Sequence, residues 1–309
     1  MPDPVAILIA MAASGIVTAI VLLACSRLAS SPGAAIGWPL AVGLGFVTGS
    51  IMLGFRPRGI LATDQERLLL LVVPLAVTVE SWITMRPMST ARKVLVRGCV
   101  ALSSGPLLLL GSVYMTGGSG GWSLAERVCF LFGLGVSILV PWLALVTLQQ
   151  RRPDPVISLT LAATSLAAGI TIMLSGYASA GQLALPLAAT LVVAALAAPA
   201  AAGLSAPGAV GVGWICLAGL LFIGRFFGSM TTLHGVLLGV TPLVSWLAEC
   251  RPLCFWAAWP RRLLLLTLTL LLLGTVVWQA QHRFQTHSGS PAPGGAPAPS
   301  MQDYLDFGR

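Results

Sequence analysis

Ten stretches of this chain are runs of apolar residues, separated by charged, proline-rich or glycine-rich segments. They cover 5–25, 36–55, 67–85, 94–115, 127–148, 156–178, 182–204, 210–228, 233–249 and 263–278. None alternates apolar with polar at a period of two, as a half-buried strand would. A run of about 20 apolar residues crosses the hydrocarbon core as a helix, and only helices and closed barrels satisfy the backbone in lipid. The pattern therefore predicts an all-α fold: a polytopic integral membrane helical bundle of about ten transmembrane helices over residues 1–281. The first run reads as an uncleaved span, because MPDP supplies no basic residue and the run outlasts a signal core. The seventh, ending AALAAPAAAG, is the least apolar. After Gln281 the chain turns polar, and PAPGGAPAPS predicts a flexible, disordered tail over 282–309.

Composition supports this reading. Of 309 residues, 57% are hydrophobic and 8% are charged, against about 25% charged in a soluble domain. The net charge of +8 comes from residues dispersed over short loops. Such residues set topology and meet lipid headgroups, so nucleic acid is not an expected partner and the bilayer is. Lys93 is the only lysine in a chain rich in Ala, Gly, Pro and Leu. We expect a bacterial inner membrane on that ground.

With ten spans, alternate loops share a side. Arg27, Arg86, Arg92, Lys93, Arg151, Arg152, Arg251, Arg261 and Arg262 fall on one side. Arg56, Arg58, Arg67, Arg127 and Arg283 fall on the other. The nine-to-five bias makes the first side cytoplasmic and puts both termini outside. Trp38, Trp82, Trp122, Trp214, Trp246, Trp256, Trp259 and Trp278 lie near run ends, as an interfacial aromatic belt would place them.

Charged groups inside apolar runs need partners. Glu80 and Arg97 lie near the cytoplasmic ends of consecutive antiparallel spans, so an ion pair is expected. The outer side gathers Tyr114, Glu126, Tyr177, Gln182, Arg225 and His234. Thr160, Thr164, Ala168, Thr171, Ser175 and Ser179 step by three or four residues and form one polar stripe. Gly224-x-x-x-Gly228 and Gly235-x-x-x-Gly239 flank the turn of a hairpin, a spacing that lets helices approach closely. Arg225 and His234 are thereby expected side by side as an anion site, with Tyr177, Gln182 and Glu126 as further ligand contacts.

No nucleophile elbow, zinc-protease signature, paired-Asp motif or phosphate loop occurs. Neither a metal site nor a cofactor is expected. The leading functional expectation is a permease-like protein for a small polar or anionic solute. A non-catalytic subunit or scaffold working with membrane protein partners is the second. A membrane enzyme on a lipid-linked substrate, using Glu126, His234 and Arg225, is the third.

Overall fold

A computed structural model describes residues 4–27, 35–56, 63–112, 115, 123–198, 207–250 and 257–288. These residues are mostly helical, joined by short turns, with no strand among them. Tyr114, Trp122, Trp256 and the chain beyond 288 lie outside the described residues.

Each predicted run coincides with a helical segment. In chain order, α1 is Pro4–Ser26, α2 Gly37–Met52, α3 Asp64–Met85, α4 Thr90–Leu109 and α5 Leu124–Arg151. α6 is Pro155–Leu174, α7 Ala178–Ala197 and α8 Pro207–Phe226. α9 is Thr232–Val240, continued by a 3-10 stretch Thr241–Glu249, and α10 is Ala258–Ser288. Seven of these, α1, α3, α5, α6, α7, α8 and α10, are long and apolar enough to cross a membrane. α2 is apolar but shorter, and α4 carries Arg92, Lys93 and Arg97.

α8 is the axis of the bundle. It has no polar side chain between Trp214 and Arg225 except the Cys216 thiol, and nearly all of it is buried. A helix apolar on every side belongs in a core. α2, α3, α5, α6 and α7 pack around it. Its glycines set how closely they come: Gly213 lies under Leu191, Gly219 under Leu68 and Gly224 under Ile172. On the flank, Gly45 and Gly49 of α2 seat Thr18 and Ser14 of α1, so closely that a Cβ at either glycine would overlap a hydroxyl. The outer faces of α1, α5 and α10 are exposed Leu, Ile, Val and Phe, consistent with contact to lipid.

Two helices are interrupted. In α3 a π segment, Leu68–Val72, precedes Pro74; the Val73 N–H bonds back five residues to Leu68. In α9 Pro242 cannot donate to the Leu238 carbonyl, and the chain tightens into the 3-10 stretch.

Three expectations are corrected here. Trp38 and Trp214 are core residues, each 2% exposed, and the Trp214 indole N–H donates to the Ile138 carbonyl. Trp82, Trp259 and Trp278 are exposed as a belt would have them. Helix α10 runs past the expected tail boundary at 281 to Ser288, because QAQHRFQT contains no helix breaker and the first proline comes at Pro291. Gly224 and Gly228 do not seat the hairpin. Gly224 faces Ile172 and Gly228 faces Tyr177, while Gly235 and Gly239 border open space beside α8.

Candidate functional site: the polar head of α3

The sequence Thr63-Asp64-Gln65-Glu66-Arg67 opens α3. Thr63 is extended and accepts the Glu66 N–H at 3.2 Å, while the Glu66 carboxylate accepts the Thr63 N–H at 3.4 Å. This capping box satisfies two orphan donors, and both acidic groups sit at the positive end of the helix. Asp64, Glu66 and Arg67 are all buried. Asp64 and Gln65 reach the start of α7, and Arg67 reaches α4. The Tyr177 hydroxyl lies 2.7 and 3.0 Å from the two oxygens of Asp64, to which it donates. Gln65 Nε2 donates to Ser179 Oγ at 2.8 Å and approaches the Tyr177 oxygen at 3.4 Å. Arg67 Nη1 donates to the Leu108 carbonyl at 3.1 Å, at the end of α4. Burial, then the bond to Asp64, holds the Tyr177 phenol protonated well above its ordinary range.

These contacts border a cavity of about 340 Å³ between α2, α3 and α7. Arg56, Thr63, Gln65, Glu66, Tyr177 and Gln182 line it. The π segment begins directly beneath it. Two of the expected ligand residues, Tyr177 and Gln182, therefore share one polar cavity. Glu126 does not join them. It is exposed, and its carboxylate accepts the Ser123 N–H and hydroxyl at 2.9 and 2.7 Å as the capping box of α5.

Arg225 and His234 are not brought together. Arg225 Nε donates to Thr232 Oγ1 at 2.9 Å, its guanidinium lies 5.7 Å from the Phe226 ring, and it faces α5. His234 is 3% exposed and lies on the other face of α9, towards Gln279 and Arg283 of α10. Its Nε2 has no hydrogen-bond partner among the described residues. Two residues along a helix are about 200° apart at 3.6 residues per turn. Thr232 and His234 thus point in opposite directions, and whatever meets Arg225 beside Thr232 cannot also meet His234. The polar stripe of α6 does not form a ligand surface either: Thr164 and Thr171 donate to carbonyls one turn back, and Thr160 meets Ser245 of α9 at 3.2 Å.

At the other end of the bundle, Arg97 Nε and Nη2 reach the two oxygens of Glu80 at 2.8 Å each. The Trp142 indole N–H donates to Glu80 Oε1 at 2.9 Å. All three side chains are buried, and the Arg97 guanidinium stands 5.9 Å from the Trp142 ring. Gly211 of α8 makes room: a Cβ there would come 2.5 Å from Glu80 Oε1 and 2.8 Å from Trp142 Nε1. Two further ion pairs gather the same end. Arg152 meets Glu249 at 2.6 Å, and Arg262 meets Asp154 at 3.1 Å.

No protein-family model, curated protein or solved structure matches the chain.

Sequence reasoning passed over the head of α3, treating Arg67 as a loop cation and leaving Asp64 and Glu66 unassigned. The signal was present: a Thr-x-x-Glu capping box directly before an apolar run, with three charged residues in four positions.

Proposed function

We propose that the chain crosses the membrane ten times, with its basic-rich end cytoplasmic, and binds a small polar solute in the α2–α3–α7 cavity in the manner of a permease. The observation that carries this reading is the cavity itself. One cation, Arg56, one buried carboxylate, Glu66, two amides, Gln65 and Gln182, and the Tyr177 ring converge on it. Opposite charges in one lining suit a solute with both donors and acceptors better than a simple anion. Half-helix ends and broken helices are where transport sites are commonly built, and this cavity sits at the head of the one helix that carries a π segment among the described residues.

The test is thermal stability of the purified full chain against a panel of amino acids, polyols and small carboxylates. A ligand at about 100 times its Kd stabilises by about 2.7 kcal/mol. At least one panel member should raise the melting temperature of the wild type but not of Gln182→Leu, whose side chain is half-buried and carries no hydrogen bond among the described residues. An equal shift in both proteins, or no shift from any member, refutes the site.

A further inference from the structure

We infer that the groove between α5, α8 and α9 is a binding site for one anionic phospholipid, with Arg225 holding the phosphate. α5 and α9 both lean on α8, and the gap between them is a cavity of about 640 Å³. It extends along α8 from Arg225 to Trp214. Eleven residues at about 1.5 Å each make roughly 16 Å, close to half of the roughly 30 Å hydrocarbon core. The groove therefore has the depth of one leaflet, the length of a single lipid's tails.

Its chemistry is divided along that length. Polar groups deep in the groove are already satisfied: the Trp214 N–H by Ile138, and the Ser137 hydroxyl by the Leu134 carbonyl. At the outer end stands Arg225. The Thr232 hydroxyl accepts from its Nε, which restricts how the guanidinium can turn, and its two terminal nitrogens carry no hydrogen bond among the described residues. A guanidinium fork matches a phosphate's paired oxygens. Glycines rather than larger side chains line the walls at Gly133, Gly235 and Gly239. A second apolar groove, of about 760 Å³ beside Met11 and Leu166, has no charged residue in its lining. Both grooves suit acyl chains, but only the first carries a group that distinguishes one headgroup from another. The groove shares no residue with the polar cavity of α3, so the inference stands apart from the solute-binding reading.

The experiment is native mass spectrometry of the full chain released from nanodiscs of equal phosphatidylglycerol and phosphatidylcholine with matched tails. Both lipids carry a phosphodiester, but the choline cation of phosphatidylcholine neutralises it and is repelled by Arg225, so the wild type should retain the net-anionic phosphatidylglycerol in about tenfold preference. Arg225→Gln, at an exposed position, should bring the ratio near one while lipid remains bound. Thr232→Val should lower the ratio partway, and Arg92→Gln, an exposed cation away from the groove, should leave it unchanged. Gly133→Leu should remove both adducts, because Gly133 lines the groove and a Cβ there meets no atom within 4 Å, so the added side chain takes up groove space. A wild-type ratio near one overturns the inference, as does an undiminished ratio in Arg225→Gln. So does a dimer that Gly133→Leu dissociates, which would give the groove to a second copy of the chain.

Discussion

The Glu80–Arg97–Trp142 cluster allows a prediction with a definite magnitude. Glu80→Gln keeps an acceptor for the Trp142 N–H but removes the charge opposite a buried guanidinium. Arg97→Met leaves a buried carboxylate with one neutral donor. Losing one partner of a buried pair costs about 3–5 kcal/mol, because the survivor's desolvation is no longer compensated. The double variant, Glu80→Gln with Arg97→Met, carries no orphan charge, keeps the Trp142 bond and fills most of the volume. It should lie within about 2 kcal/mol of wild type. Equilibrium unfolding of all four proteins in bicelles should therefore give a coupling above about 3 kcal/mol. Additivity within about 0.5 kcal/mol would refute the reasoning. Exchanging the charges, Glu80→Arg with Arg97→Glu, should not restore stability. The Trp142 N–H donates to position 80 and needs an acceptor there, and the Gly211 backbone leaves no room for a longer side chain.

Two further outcomes are expected. Gly49→Leu should separate α1 from α2 and destabilise the protein by more than about 1 kcal/mol, read in the same unfolding assay, because Ser14 and Pro186 both press on the missing Cβ; an unchanged stability would mean that this contact is not tight. Topology reporters fused after Gln150 and after Gly294 should give opposite signals if all ten segments cross; matching signals would remove one crossing.

The sequence by itself determined where the helices are. Seven are long and apolar enough to cross a membrane, and helix ends answer to prolines, glycines and charges, all of which are local. The Glu80–Arg97 contact was legible for a related reason. Two charges at matching depth on consecutive antiparallel helices have few other partners. Tyr177 and Gln182 were legible as residues of one end of the bundle, and they do line one cavity.

Tertiary structure alone decided which way each helix faces. A membrane helix is apolar on its buried side and on its lipid side, so hydrophobic periodicity does not give its rotation. That rotation turns Arg225 and His234 to different sides of α9, sinks Trp38 and Trp214 into the core and gives Glu126 to its own helix cap. It is set by where small residues let a neighbour approach, as at Gly211, Gly219 and Gly224 along α8. The same packing brings Asp64 to Tyr177 and Gln65 to Ser179, contacts between residues more than a hundred positions apart in the chain. A spacing pattern along one helix carries no information about a partner that distant, and only the assembled bundle places the two together.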